Sequence, residues 1–297
     1  MSRISRGTPA GDAYLDLKTQ ARRSGRPTDE LIQLYLLECF LARLVTSSMR
    51  DKLVLKGGVL LATFGDRRPT RDVDLAGLDI SNDSDGVLSL VRVILNVQLP
   101  DDGVEFDPDS ATAEIIREEH EYAGVRVSAS ARLASARSRF HVDINVGDPI
   151  WPEPAVVSLP RLLGGPPIVL AGYPLAMVHA EKIVTAVQRG TANTRWRDFA
   201  DVWTLSNRHA VDGSDLQGAV ERVARHRQAQ LSPLSVALEG YAEIGQSKWA
   251  AWRRRNGYDH LPETFAEVLN AVVAFADPAL AGGLDEQEWA PTARQWQ

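Results

Sequence analysis

Two aspartates one residue apart, Asp72 and Asp74, lie in DVDLAG, a segment with the hydropathy of a short strand. Successive side chains of a strand point to opposite faces, so both carboxylates are expected on one face, where like charges repel. Asp143 is the only acidic residue of a second predicted strand, RSRFHVDINV, and it falls on that strand's polar face. If the two strands are neighbours, three carboxylates meet at one place.

Carboxylate oxygens collected in this way suit Mg²⁺, which usually takes one or two carboxylates together with phosphate oxygens of a substrate. Two such ions hold the attacking and leaving oxygens of an in-line displacement at phosphorus. We therefore predict that Asp72, Asp74 and Asp143 are catalytic and bind Mg²⁺, most simply two ions, whose charge removes the repulsion between them.

A glycine pair precedes this strand, in KLVLKGGVLLATF, where a short strand is expected to turn into a helix. Glycines at such a turn let a phosphate approach the backbone, and free amide groups at the start of a helix bind it. Lys56 either adds charge to this turn or simply ends the strand. A glycine pair or an Asp-x-Asp pair alone is more often structural, so the weight rests on their order and spacing.

A third segment, YPLAMVHAEKIVTAVQRGTANTRWRDFADVWTL, predicts two helices that carry Lys182 and Asp198. One interpretation is a helical hairpin stabilised by ion pairs; the other places Lys182 on a triphosphate, with Asp198 holding the lysine in position. Only five of the 33 basic residues are lysines, and this scarcity favours the functional interpretation.

The elements around these residues indicate an α+β fold. Apolar spacing predicts helices over 12–47, strands at 52–55 and 72–77, and an antiparallel meander within 111–146. Everything after Pro174 reads as helical except the last residues, which we expect to be loose. We predict an N-terminal helical region (1–50), a core with a mixed sheet (51–150) and a C-terminal helical domain (151–297) that contributes Lys182 and Asp198 to the site.

Composition narrows the class of protein. The chain has 297 residues, 44% of them apolar and 24% charged, which is enough for a core and argues against disorder. We expect a cytoplasmic protein, because there is no apolar stretch of 18 residues, no apolar N-terminal leader, and only one cysteine, Cys39, in an apolar helical pattern. The net charge of −6 disfavours a general nucleic-acid coat protein, although clusters of arginine leave a local basic surface possible.

Three ordered stretches together resemble the AbiEii/AbiGii group of nucleotidyltransferase toxins, which are related to the MenT toxins. They are VLKGGVLLATFGDRRPTRDVDLAG, FHVDINVGDPI and AGYPLAMVHAEKIVTAVQRGTANTRWRDFADVW, and the helix LYLLECFLARL is also similar. The chain departs from the family pattern at Ala176, where a glutamate is usual, and at Arg197, where lysine is common.

The resemblance implies a polymerase-beta-like nucleotidyltransferase core between helical subdomains, in the toxin of a toxin–antitoxin or phage-defence pair. It implies an NTP substrate, a cognate antitoxin and, in the MenT branch, transfer to the 3′ end of tRNA, which blocks translation. Carried over residue by residue, it makes Asp72, Asp74, Asp143, Lys182 and Asp198 catalytic. The expected nucleotide-binding residues are Lys56, Gly57, Gly58, Arg71, Lys182 and Arg195.

Two other functions remain open from the sequence. The same chemistry on a protein hydroxyl would label protein instead of RNA when the chain is incubated with labelled NTPs. A non-catalytic NTP-binding module would keep its cellular effect after Asp72→Ala, whereas an enzyme would lose it. The presence of all three acids favours an enzyme.

Overall fold

A computed structural model of the protein describes residues 4–116 and 124–297. Contacts divide the chain into two compact units. The first contains the described residues up to Asp148 together with Ala155–Tyr173, and the second contains Pro149–Pro154 and Pro174–Gln297.

The first unit contains a mixed sheet of seven strands within the described residues. In chain order the strands are β1 (Leu53–Lys56), β2 (Asp72–Gly77), β3 (Val104–Ile116), β4 (Gly124–Leu133), β5 (Ala136–Val146), β6 (Ala155–Leu159) and β7 (Ile168–Gly172). Their order across the sheet is β3-β4-β5-β2-β1-β7-β6. β2 pairs in parallel with β5 and β1 in parallel with β7, while the remaining neighbours are antiparallel. β2 therefore lies in the middle of the sheet, beside the last strand of the β3–β5 meander.

The described residues of the same unit form four α-helices: α1 (Pro9–Ser24), α2 (Thr28–Thr46), α3 (Gly57–Leu60) and α4 (Ser84–Leu95). α2 is buried along most of its length, including Cys39, and it contacts β5 and β7. α4 has a strongly amphipathic sequence and packs on β3 and β4. These apolar contacts fix the strands that carry the acidic residues.

The second unit is mainly helical. Its helices are α5 (Leu175–Arg189), α6 (Trp196–Ser206), α7 (Gly213–His226), α8 (Leu234–Ala237), α9 (Tyr241–Asn256) and α10 (Phe265–Ala281). Three short strands, β8 (Val211–Asp212), β9 (Glu288–Ala290) and β10 (Gln295–Trp296), form a small antiparallel sheet. An aromatic cluster fills part of the core of the second unit. In this cluster Phe265 contacts Trp196, Phe199, Tyr241 and Trp249.

The α+β class and the antiparallel meander are confirmed. The ends of two predicted strands, at residues 117–119 and 122–123, lie outside the described residues. The expected loose tail is wrong, because β9 and β10 pair and Trp296 stacks on Phe275. The two units do not divide the chain at residue 50. One division falls between Asp148 and Pro149, close to the predicted residue 150, but Ala155–Tyr173 belongs to the first unit. The N-terminal helices pack with the sheet, and β6 and β7 extend it.

None of the helices in the described ranges has the length and hydropathy that crossing a bilayer requires.

Candidate active site

The three predicted metal ligands meet at the centre of the sheet of the first unit. Asp74 and Asp143 are directly opposite each other in the parallel β2–β5 pair, and Asp72 lies two residues earlier on the same face. One carboxylate oxygen from each residue lies within 4.8 Å of the other two. The side chain of Asp143 is 9% exposed and that of Asp72 is 34% exposed. The cluster is therefore buried at one end and open to solvent at the other.

The glycine corner is built against these carboxylates. Gly57 has a φ of +65°, in the left-handed region, and a Cβ placed on it would lie 1.9 Å from Oδ2 of Asp74. The amide of Gly58 donates a hydrogen bond to the same oxygen at 3.4 Å. A Cβ on Gly58 would meet the hydroxyl oxygen of Thr70 at 2.8 Å, and that hydroxyl donates to Oδ1 of Asp72 at 3.0 Å. Only glycine fits both positions without displacing the Asp74 carboxylate or Thr70.

Arg126 on β4 places a positive charge beside the carboxylates of Asp143 and Asp72. Its Nε donates to Oδ1 of Asp143 at 2.8 Å, and its Nη2 donates to Oδ2 at 2.6 Å. Nη2 also lies 3.7 Å from Oδ2 of Asp72. The hydrogen bonds to Asp143 raise the pKa of Arg126, which keeps the guanidinium charged. One guanidinium thus partly compensates two of the three carboxylates.

Asp74 has less support from positive charge. Burial, followed by the charges of Asp72 and Asp143, raises the pKa of Asp74 to about 7. The charge of Lys56 and the Gly58 amide act in the opposite direction. Lys56 itself forms an ion pair with Asp148, with 2.7 Å between Nζ and Oδ2, and its Nζ lies 5.6 Å from the centre of the Tyr173 ring. Lys56 is therefore more than the end of a strand, since it links the glycine corner to the segment after β5.

The remaining nucleotide-binding candidate of this unit, Arg71, is exposed. Its backbone carbonyl accepts a hydrogen bond from Nε2 of Gln33 at 3.0 Å. Arg71 directly precedes Asp72 in the chain, and a hydrogen bond from α2 fixes the backbone of Arg71.

Lys182 and Asp198 belong to the second unit, where they form an ion pair across α5 and α6. Nζ of Lys182 lies 2.9 Å from Oδ1 of Asp198 and 2.8 Å from Oδ2 of Asp201. Arg195 pairs with the other oxygen of Asp198 at 2.7 Å. The side chain of Lys182 is 15% exposed and that of Asp201 is 3% exposed. The pairing of Lys182 with Asp198 follows the sequence interpretation, and Asp201 is an additional partner.

The three carboxylates of the first unit fit a divalent cation. They supply hard oxygen donors, one atom each, close enough to share an ion. Burial, followed by repulsion from the other two carboxylates, raises the pKa of Asp74. Arg126 compensates only part of this charge. The donor set is thus of the kind that binds Mg²⁺ or Mn²⁺.

Comparison with known protein families gives the class of chemistry. The family model described as "Nucleotidyl transferase AbiEii toxin, Type IV TA system" matches residues 39–271. The chain belongs to the AbiEii family. This match includes every candidate site residue named above and makes the chain a member of the nucleotidyl transferase toxins of type IV toxin–antitoxin systems.

Two solved structures from Helicobacter pylori are similar to this AbiEii chain. One, described as a candidate nucleotidyltransferase, has 13% identity and a TM-score of 0.43, covering 85% of this chain and 93% of its own. The other, JHP933, has 11% identity and a TM-score of 0.36, covering 78% of this chain and 98% of its own. No curated protein matches the chain.

Sequence reasoning missed Arg126 and Asp201. A signal for Arg126 was present, because Leu133 pairs with Ala136 across a two-residue link. Counting back from that link in an antiparallel register places Arg126 opposite Asp143. Asp201 lies three residues after Asp198 on α6, and this spacing puts both carboxylates on one helix face, toward Lys182.

Proposed function

We propose that the chain transfers a nucleotide from an NTP to an RNA acceptor, the 3′ end of tRNA, and thereby blocks translation and growth. The observation that carries this proposal is the meeting of Asp72, Asp74 and Asp143 beside the glycine corner, in a chain of the AbiEii nucleotidyl transferase family. The choice of tRNA is supported by the resemblance to the MenT toxins. Membership of a type IV toxin–antitoxin family implies a cognate antitoxin as partner.

Asp72, Asp74 and Asp143 would hold Mg²⁺, most simply two ions. When bound, the metal supplies charge neutralisation at the triphosphate and acidifies the acceptor hydroxyl. Both oxygens of Asp143 accept hydrogen bonds from Arg126. We assign Asp143 the role of metal ligand, because one of its oxygens lies within 4.8 Å of an oxygen of Asp72 and of Asp74.

The other proposed contacts concern the nucleotide. Gly57 and Gly58 let the backbone lie closer to Asp74 and Thr70 than any side chain would allow. Lys56 comes directly before Gly57 in the chain, and Arg71 directly before Asp72. Lys182, held by Asp198 and Asp201, and Arg195 are proposed to contact the nucleotide on the strength of the family motif. The expected catalysis is positioning and electrostatic stabilisation of the transferred group.

The test is a labelling assay. The purified protein is incubated with each of the four α-labelled NTPs, Mg²⁺, total RNA and lysate protein. We expect label in the tRNA fraction and loss of tRNA aminoacylation. Asp72→Asn should abolish labelling, whereas Asp79→Asn, just after the same strand, should retain it. Asp79 is exposed and its φ of +51° is tolerated by asparagine.

The other outcomes decide against this proposal. Label that appears in protein and not in RNA identifies the acceptor as a protein hydroxyl. A protein that binds an NTP without labelling either fraction, and whose toxicity persists in Asp72→Asn, is a binding module. Tight acceptor binding that is insensitive to salt argues against RNA, because contacts to a phosphate backbone weaken steeply as salt rises.

A further inference from the structure

Arg126 is hydrogen-bonded to the carboxylate of Asp143, one of the three proposed metal ligands. Its guanidinium donates one hydrogen bond to each oxygen of Asp143, at 2.8 and 2.6 Å. Of the two carboxylates that Arg126 contacts, Asp143 is more buried than Asp72. Two parallel hydrogen bonds between a guanidinium and a carboxylate are among the strongest polar contacts of a protein. Arg126 therefore competes for Asp143 with any other cation.

The position of Arg126 follows from the strand register. Arg126 and Asp143 are direct cross-strand partners of the antiparallel β4–β5 pair, and Asp143 is in turn the partner of Asp74 in the parallel β5–β2 pair. Direct cross-strand partners have side chains within contact distance on the same face. The guanidinium is thus fixed beside the cluster by the sheet itself, and its side chain is 31% exposed on the outer side.

A divalent cation bound to Asp143 would have the guanidinium as its neighbour. Like charges about 4 Å apart repel strongly where water is partly excluded. The guanidinium can relieve that repulsion by moving into the solvent, since about a third of the side chain is already exposed. The metal-free cluster, by contrast, needs the guanidinium, because three carboxylates share this small space.

We propose that Arg126 is a positioning residue that acts as an internal counterion: it stabilises the metal-free carboxylate cluster and must release Asp143 when a divalent cation binds. This inference rests on the metal site of the proposed function. It assigns Arg126 two effects of opposite sign, stabilisation of the metal-free protein and weakening of metal affinity. A residue with a structural role alone would lower stability and metal affinity together when removed.

The test uses the full-length protein and Mn²⁺ as the probe. Metal affinity is measured by calorimetric titration and by the electron paramagnetic resonance signal of free Mn²⁺, and stability by thermal unfolding in EDTA. For Arg126→Gln we expect a lower melting temperature in EDTA and a dissociation constant for Mn²⁺ smaller by roughly tenfold, from removal of one neighbouring charge. Arg126→Lys keeps the charge but cannot donate two parallel hydrogen bonds to Asp143. Its melting temperature and its dissociation constant for Mn²⁺ should lie between those of the wild type and Arg126→Gln.

Arg132→Gln is the matched control. Arg132 lies on the same strand, about 20 Å along it at the usual rise per residue, and it pairs with the exposed Glu105. The same loss of charge there should leave both measurements unchanged. Mn²⁺ affinity that is unchanged or weaker in Arg126→Gln overturns the counterion role while leaving the metal site intact. Failure of wild type and Arg126→Gln alike to bind Mn²⁺ overturns the metal site and, with it, this inference.

Discussion

A Cβ on Gly57 would lie 1.9 Å from Oδ2 of Asp74, so the backbone of the glycine corner and the carboxylate of the second aspartate are in direct contact. Gly57 also has a φ of +65°, which other residues adopt only with strain. The positive φ and the contact with Asp74 are two separate reasons for a glycine at position 57. They can be tested separately, because Gly65 also has a positive φ but no such contact.

Gly57→Ala should lose nucleotidyl transfer by at least about a hundredfold, because displacement of a reacting group by about 1 Å has an effect of that order. Gly65→Ala is the matched control. Gly65 also has a positive φ, +81°, but a Cβ on it meets nothing within 4 Å. It should cost about 1 kcal/mol of stability from backbone strain and keep its activity. Equal activity in the two variants would show that the contact with Asp74 is unimportant.

Lys182→Met should reduce the free energy of unfolding by about 3 kcal/mol, since it leaves the nearly buried Asp198 and Asp201 without their shared partner. Adding Asp201→Asn removes one of the two carboxylate charges that Lys182 pairs with and should restore part of that stability. Chemical denaturation and the labelling assay are run on both variants. A double variant that regains stability and remains inactive supports a nucleotide contact by Lys182. Recovery of activity together with stability would make the lysine a purely structural link between α5 and α6.

Glu38→Gln should destabilise the first unit by about 2 kcal/mol. The buried carboxylate of Glu38 pairs with Arg67 and accepts a hydrogen bond from the amide of Leu162 at 2.9 Å, so it ties residues 65–71, which precede Asp72, to α2. Trypsin should then cleave faster after Arg67. Glu30→Gln, on the same helix and paired with Arg26 four residues away, should change stability by no more than about 0.5 kcal/mol. Equal effects of the two substitutions would contradict a special role for Glu38.

The stability of the chain should fall with pH below about 6.5, in part through His179. Burial, with smaller effects from Lys182 and His209, lowers the pKa of His179 to about 3. Between these values the unfolded chain binds a proton that the folded His179 does not, so falling pH favours unfolding by up to about 1.4 kcal/mol per pH unit.

His179→Leu should flatten this pH dependence, measured as the free energy of unfolding between pH 7 and pH 4.5. The His179 ring packs 4.6 Å from that of Phe275, so an apolar replacement suits the site. His260→Gln, at an exposed position, is the control and should keep the wild-type slope. An unchanged slope in His179→Leu would sink this explanation of acid sensitivity.

Much of the site could be predicted because local pattern and chemistry agree. The segment DVDLAG has the same bounds as β2. Asp143 is the lone acid of an alternating strand, and this pattern predicts that it meets Asp72 and Asp74. Arg126 was missed because its role depends on cross-strand register, which the hydropathy of a single strand does not show.

Other errors arose from long-range contacts that override local composition. The tail has the polar, glycine-rich composition of a loose segment, yet Trp289 is buried against Phe275 and Trp296 stacks on the same ring. Likewise β6 and β7 lie in the part of the chain that was assigned to the C-terminal helical domain, and their pairing with each other and of β7 with β1 makes them strands.

Parallel pairing of β2 with β5 brings together carboxylates that are synthesised at different times. Asp72 and Asp74 leave the ribosome first, but Asp143 follows only after β3, β4 and most of β5 have been synthesised. On the metal site proposed above, nascent or prematurely terminated chains that stop before Asp143 would carry an incomplete set of ligands. The cell would then be exposed to the proposed chemistry only from chains that have passed that point.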